Sequence, residues 1–232
     1  MKYSDFFGRR KNTFEKSYEL ILERMHGDAT GIPYNIVELG TSRSFVSGDS
    51  PGCMKTDIEY WRPDEPKCWD WGAGIFTKVF SDNLDGRNYN LYTVDPNQNA
   101  IQIVMTMCGD NKNVHIVQGY SSDFLKDFAH TGTDHATIDF LYMDHMESGE
   151  EACIQHLNDA KQLVEKDIMS ENGIILIDDI GDNITNTKGR YSIPYLLENG
   201  YRQVIGEYQV LLERVGGGSG GGEGGGGGKE VK

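Results

Sequence analysis

Four short apolar runs in the sequence each carry an acidic residue at or near their end. They cover residues 36–39, 91–94, 138–143 and 174–177, and the acids are Glu38, Asp95, Asp144 and the pair Asp178-Asp179. An apolar run of this length, bounded by polar or turn residues, predicts a strand buried on both faces. Parallel α/β sheets bind ligands beyond the carboxyl ends of their strands. The acids are therefore predicted to lie where a ligand binds.

Helical periodicity alternates with these runs. Helices are predicted over 12–26, 73–83, 97–108, 121–130, 149–166 and 192–199, and a further strand over 114–117. In the helix over 149–166, the side chains expected to face inward are Ala152, Ile154, Leu157, Ala160 and Val164. Two last strands, 202–206 and 208–214, predict a hairpin. The alternation predicts an α/β fold with a doubly wound, Rossmann-like, mostly parallel seven-stranded sheet and a C-terminal antiparallel hairpin.

Residues 1–215 are predicted to form a single domain, with residues 1–34 as a helical cap. The segment 46–74 contains all three tryptophans and is too long for an ordinary loop. Its tryptophans are expected either to form an aromatic lid over a substrate or to build a small core of their own. Residues 216–232 are mostly glycine, and such a tail is predicted to be disordered because it cannot bury enough apolar surface.

Charge and composition exclude several classes of partner. The formal net charge is −14, which disfavours binding to nucleic acid. No apolar run reaches the length of about 18 residues that a membrane helix needs, so no membrane partner is expected. The four cysteines lack CxxC spacing and are interpreted as free thiols of a cytoplasmic protein. A homo-oligomer is compatible with the sequence.

The turn after the first run distinguishes between kinds of nucleotide site. Gly40 follows the run directly, and a glycine there lets the backbone approach a ligand. A dinucleotide site of the GxGxxG type needs two further glycines and an acid about 20 residues later. The sequence reads Gly40-Thr41-Ser42-Arg43-Ser44-Phe45, and Asp95 follows only 55 residues after Gly40. A pyrophosphate-binding dinucleotide fold is therefore disfavoured.

Five motifs in this order resemble those of class I S-adenosylmethionine-dependent methyltransferases. They are residues 37–42, Val94-Asp95, residues 119–122, Met143-Asp144 and residues 177–179. The resemblance implies that S-adenosylmethionine is the cofactor. It implies that Glu38 holds the methionine amine, that Asp95 binds the ribose hydroxyls, and that the remaining cofactor contacts come from Gly40, Thr41, Ser42, Tyr120, Ser121 and Asp144. A strand-end carboxylate suits a vicinal diol, although such an acid can also cap the next helix.

The acids after the fourth and fifth runs resemble those of metal-dependent O-methyltransferases, including enzymes that methylate sugars. Three carboxylates gathered at one edge repel each other unless a cation binds or a pKa rises. Oxygen ligands suit Mg²⁺ or Ca²⁺, so Asp144, Asp178 and Asp179 are predicted to be metal ligands. Alternatively, Asp179 caps the local turn and Asp144 contacts only the cofactor.

The resemblance predicts methyl transfer to a hydroxyl of a small molecule or sugar. Asp144 and His145 are the candidate catalytic residues, with His145 as the general base because histidine titrates near neutral pH. A helix-cap or surface role for His145 is the alternative. Two other functions stay open: a non-catalytic nucleoside-binding member of the fold, and a metal-dependent glycosyltransferase that uses Asp178 and Asp179.

Overall fold

Seven strands form one sheet in the structure, a computed structural model that describes residues 1–27, 31–48, 56–73, 75–128, 137–181 and 187–215. The strands are β1 (Tyr34–Leu39), β2 (Tyr89–Asp95), β3 (Val114–Gln118), β4 (Ile138–Met143), β5 (Met169–Ile177), β6 (Tyr201–Gly206) and β7 (Val210–Arg214). Their order across the sheet is β3-β2-β1-β4-β5-β7-β6. Strands β1 to β5 pair in parallel, and β7 is antiparallel to both β5 and β6. The predicted fold class and terminal hairpin are confirmed.

Six α-helices flank the sheet: α1 (Lys11–Gly27), α2 (Phe76–Asn83), α3 (Gln98–Cys108), α4 (Ser121–Phe128), α5 (Glu150–Glu165) and α6 (Ser192–Glu198). Successive side chains of a strand point to opposite faces, so alternate side chains of the central strands pack into two separate hydrophobic cores, one on each face of the sheet. Helices α1, α2 and α3 supply the core that contains Ile36 and Tyr142, whereas α4, α5 and α6 supply the core that contains Val37 and Met143.

The inward face of α5 matches the prediction at Ala152 and Ala160, which are buried, but differs from it elsewhere. Ile154 is 46% exposed, whereas His156 and Asp159 are fully buried. The apolar pattern was misleading because the helix buries polar side chains that have partners in the interior. His156 stacks on His145, and Asp159 accepts a hydrogen bond from Ser121. The buried face is therefore rotated towards these polar groups.

The described part of the tryptophan-rich segment builds a small core with the N-terminal residues. Trp69 is 1% exposed and stacks on Trp61 and Trp71 at centroid distances of 5.2 and 5.7 Å. Tyr3 and Phe7 of the N-terminal segment contact the same tryptophans. This arrangement supports the small-core interpretation, because the central tryptophan has little surface left for a substrate. Arg10 connects this core to the sheet, since it contacts both the Trp71 carbonyl and Asp178 after β5.

Some expectations can be compared with the structure only in part. Cys68, Cys108 and Cys153 are free thiols. Across the described ranges, no helix combines the length and the apolar character that crossing a membrane requires. The predicted tail, residues 216–232, lies outside the described residues, as do residues 49–55 of the tryptophan-rich segment.

Candidate functional site

The turn after β1 brings three strand ends together. Gly40 has φ +87°, a conformation that favours glycine, and a Cβ placed there would lie 2.8 Å from backbone atoms of Asp144 and His145. Its N–H donates to the Val94 carbonyl at 2.8 Å, and the Asp144 N–H donates to the Leu39 carbonyl at 2.9 Å. The close approach that the glycine permits is thus to the end of β4. The carboxyl ends of β1, β2 and β4 therefore meet at this turn, at the edge of the sheet where α/β folds have their ligand crevice.

Glu38 is a buried carboxyl with one oxygen left over. Its Oε2 accepts hydrogen bonds from the hydroxyls of Thr77 and Thr93, the latter at 2.6 Å. Its Oε1 has no hydrogen-bond partner among the described residues, although the side chain is 1% exposed. Burial, together with the nearby Asp144 and Asp95, raises the pKa of Glu38 to about 8. The hydrogen bonds from the two hydroxyls act in the opposite direction and lower this pKa. An unpaired buried acceptor of this kind is costly unless a ligand donates to it.

The residues that follow Gly40 offer further polar groups to the same crevice. Thr41 and Ser42 are both buried, and the Thr41 hydroxyl lacks a hydrogen-bond partner in the part of the chain that the structure describes. Asp95 accepts from the backbone N–H of Thr41 at 3.2 Å and of Asn97 at 2.7 Å. Asn97, rather than Asp95, caps α3 through the N–H of Asn99. Each Asp95 oxygen keeps a lone pair, so this local role does not prevent it from accepting from a diol.

The structure places the His145 ring beside Asp159 of α5. His145 is 8% exposed, its Nε2 lies 2.9 Å from Asp159 Oδ2, and its ring stacks on His156 of α5. Ser121 is buried and donates to the same Asp159 carboxylate at 2.8 Å, whereas Tyr120 beside it is 66% exposed. His145 thus belongs to a buried polar cluster under α4 and α5. A general-base role for His145 stays a prediction that this placement does not support.

Asp144, Asp178 and Asp179 come together as predicted, with one carboxylate oxygen of each within 4.8 Å of the others. Two cations lie among them. Arg10 forms a fork with the fully buried Asp178, with its Nη2 2.7 Å from Oδ2. Lys188 Nζ lies 2.9 Å from both Asp144 Oδ1 and Asp179 Oδ2.

Neutral donors take up the other oxygens of these carboxylates. Tyr142 donates to Asp144 Oδ2 at 3.2 Å, Gln209 donates to Asp178 Oδ1 at 2.9 Å, and the Tyr208 hydroxyl donates to Asp179 Oδ1. All six carboxylate oxygens therefore already have a protein donor. Each oxygen of Asp178 has two donors, whereas each oxygen of Asp144 has one and keeps a lone pair for a further hydrogen bond.

The local charges set the protonation of the cluster. Burial and the neighbouring Asp178 raise the pKa of Asp144 to about 7, although Lys188 opposes the shift. Burial also acts against ionisation of Asp179, but Lys188 and Tyr208 outweigh it and lower the pKa of that carboxyl. The two acids outweigh burial at Lys188 as well and raise the pKa of its ammonium. The pair of Lys188 and Asp179 is therefore charged at neutral pH.

A divalent cation does not fit the cluster in this arrangement. An ion bound to Asp144 Oδ1 and Asp179 Oδ2 would lie close to Lys188 Nζ, which is 2.9 Å from both oxygens. At a separation of about 4 Å and an effective dielectric constant of about 20, a +2 and a +1 charge repel by about 8 kcal/mol. The predicted ligands are thus brought together, but the position of the cation is taken by a lysine.

Sequence reasoning identified the acids but missed Arg10, Lys188, Thr77 and Gln209, which satisfy them. Arg10 precedes α1 and lies 168 residues from Asp178, so neither residue predicts the other through local spacing. A usable signal was the charge balance itself. Three acids at one edge require cations, and those can come from the chain as well as from solution.

The comparison with protein families locates one match. The model described as "Methyltransferase domain" matches residues 71–180, just under half of the chain, which include β2 to β5 and all the strand-end acids except Glu38. No curated protein matches the sequence.

Solved structures resemble this chain at low identity. A protein from Legionella pneumophila has a TM-score of 0.56 at 10% identity, covering 92% of this chain and 85% of that one. A methyltransferase from Geobacter sulfurreducens has a TM-score of 0.43 at 16% identity, with coverage of 86% and 78%. Fibrillarin from Aeropyrum pernix, solved with S-adenosyl-L-methionine bound, has a TM-score of 0.44 at 14% identity, with coverage of 78% and 66%. The matched segment and the Rossmann-like fold support a class I S-adenosylmethionine-dependent methyltransferase.

Proposed function

We propose that this protein transfers the methyl group of S-adenosylmethionine to a hydroxyl of a small molecule or sugar. The observation that carries the proposal is the unpaired, buried Oε1 of Glu38 beside the Gly40 turn. The amine of the cofactor's methionine part supplies the donor that this oxygen lacks. Asp95 at the end of β2 then receives the ribose hydroxyls, and Thr41 and Ser42 line the space between them. Tyr120 and Ser121 flank the adenine.

The reaction follows from where the acids lie relative to this cofactor site. When bound, S-adenosylmethionine supplies an electrophilic methyl group. Asp144 follows β4 against the Gly40 turn, so the acidic cluster adjoins the reacting end of the site. The acceptor hydroxyl binds there, aligned for attack on the methyl carbon, and its proton passes to Asp144. The chain's own contribution is thus to bind the acceptor, to orient its hydroxyl towards the methyl group and to accept the proton of that hydroxyl.

The predicted Mg²⁺ or Ca²⁺ is not part of this proposal, because Lys188 takes its place among the acids. The acceptor is proposed to be a small molecule, since Arg10 contacts both the Trp71 carbonyl and Asp178 and so places the tryptophan core next to the acidic cluster. We also propose a cytoplasmic location, on the ground that Cys68, Cys108 and Cys153 are free thiols.

Thermal unfolding with a panel of ligands is expected to separate this function from its alternatives. A saturating ligand that binds only the folded state stabilises it by about 2.7 kcal/mol at a hundred times its Kd. S-adenosylhomocysteine is expected to raise the Tm by several degrees, whereas UDP- and GDP-sugars are expected to leave it unchanged. A shift with a nucleotide sugar alone would instead support the glycosyltransferase alternative. Transfer of labelled methyl to any acceptor excludes a purely nucleoside-binding role.

A further inference from the structure

Lys188 lies among the acids as a bound cation would. Its Nζ is 2.9 Å from Asp144 Oδ1 and 2.9 Å from Asp179 Oδ2, and it is 3.4 Å from the Asp144 carbonyl oxygen. The side chain is 3% exposed. A lysine ammonium is a compact point charge with three donors, and these three oxygens face all of them. Lys188 thus bridges the acid after β4 and the acid after β5.

The rest of the cluster is compensated without metal. Asp178 is held by Arg10 and Gln209, so it has no oxygen free for an added ion. Three carboxylates and two fixed cations leave a net charge of about −1 when all five groups are ionised. The cluster therefore offers a divalent ion neither uncompensated ligand oxygens nor a large excess of negative charge.

We propose that Lys188 is the resident cation of this acidic cluster and that the site works without a divalent metal ion. Lys188 is a positioning residue, since its donors are used to hold Asp144 and Asp179 side by side. This inference rests on the proposed methyl transfer only in placing the cluster at the acceptor end. Removal of the ammonium leaves three acids facing one arginine, and oxygen-only sites of this kind suit Mg²⁺ or Mn²⁺.

The test measures binding of Mn²⁺ to the protein. The electron paramagnetic resonance signal of the free ion reports how much Mn²⁺ stays unbound. The wild-type protein is expected to leave Mn²⁺ free at about 100 μM of each, whereas Lys188→Met is expected to bind it at least about ten times more tightly, in line with the repulsion removed. Lys188→Arg keeps a positive charge at this position and is expected, like the wild type, not to bind Mn²⁺. Lys161→Met, a change at an exposed lysine of α5, is the matched control and is expected to behave as the wild type.

Two results would overturn the proposal. One is Mn²⁺ binding by the wild-type protein that Asp179→Asn removes, and the other is a folded Lys188→Met that gains no Mn²⁺ binding. Should Lys188→Met fail to fold, the thermal unfolding of the wild type decides. A Tm that is equal in EDTA and in excess Mg²⁺ or Ca²⁺ supports the proposal, and a rise with the metal that Asp179→Asn removes contradicts it. If the wild-type protein does not bind S-adenosylhomocysteine, the proposed function is refuted, whereas the interpretation of the metal-binding results does not change.

Discussion

Glu38→Gln is expected to weaken S-adenosylhomocysteine binding about ten- to a hundredfold, the effect of losing a charge-assisted hydrogen bond. The amide keeps the shape of the side chain and can still bond to Thr77 and Thr93. It no longer carries the charge that we propose attracts the ligand's ammonium. Calorimetric titration of the two proteins measures the difference. Glu151→Gln, at an exposed position of α5, is the matched control and is expected to bind as the wild type.

The same carboxyl predicts a pH dependence with a definite sign. Burial raises the pKa of Glu38 to about 8, so the free protein carries this group mostly protonated at neutral pH. A bound ammonium favours the ionised form, so binding releases a proton and the affinity is expected to rise from pH 6 to pH 8. Glu38→Gln is expected to lack this slope. Equal affinity of the wild type at both pH values would contradict the assigned role.

The stability of the free protein should change in the opposite direction. A carboxyl whose pKa is higher in the folded state holds its proton more tightly there than in the unfolded chain. The contribution of Glu38 to stability is therefore present at low pH and is lost as the pH rises through about 8. Glu38→Gln is expected to be more stable than the wild type by a few kcal/mol at pH 9, measured by urea unfolding without ligand.

Arg10→Met is expected to destabilise the protein by about 3–5 kcal/mol, because it leaves Asp178 without its charge partner. Asp178 is fully buried, and the guanidinium of Arg10 makes three hydrogen bonds to its carboxylate, to which Gln209 donates one more. Arg10 also donates to the Trp71 carbonyl at 3.1 Å, so the change should loosen the N-terminal segment from the tryptophan core. Urea unfolding measures the first effect, and hydrogen exchange in residues 1–27 measures the second.

Two control variants show whether the loss of stability in Arg10→Met comes from its contact with Asp178. Arg9 lies over the Tyr208 ring at 4.0 Å and is exposed, so Arg9→Met is expected to cost less than about 1 kcal/mol. The double variant Arg10→Met with Asp178→Asn is expected to recover part of the loss, since it removes the unpaired charge. A single Arg10 variant as stable as the wild type would mean that the fork with Asp178 contributes little.

Local sequence patterns predicted most of the fold because the strands are short apolar runs with clear ends. The observed β4, Ile138–Met143, coincides with the apolar run over 138–143 and is one residue shorter than the strand predicted over 137–143. The hairpin of β6 and β7 follows from two runs around one turn. The positions of the strand-end acids followed from the same runs. These features depend on neighbours in sequence, which is the information that periodicity contains.

The parts that sequence missed depend on partners that are distant along the chain. The face of α5 was shifted because His156 and Asp159 are buried against polar groups of other elements. Arg10 and Lys188, which lie before α1 and after β5, were not anticipated as partners of the acidic cluster. Spacing along the sequence contains no signal for such pairs.

Calorimetric titration of S-adenosylhomocysteine into the folded wild-type protein tests the central claim most directly. The account predicts saturable binding of one ligand per chain, with the proton release assigned to Glu38. Circular dichroism of the same sample shows whether the sheet and helices are formed. Heat of binding on folded protein would support a methyltransferase cofactor site in the crevice between β1, β2 and β4. The absence of heat on demonstrably folded protein would contradict it.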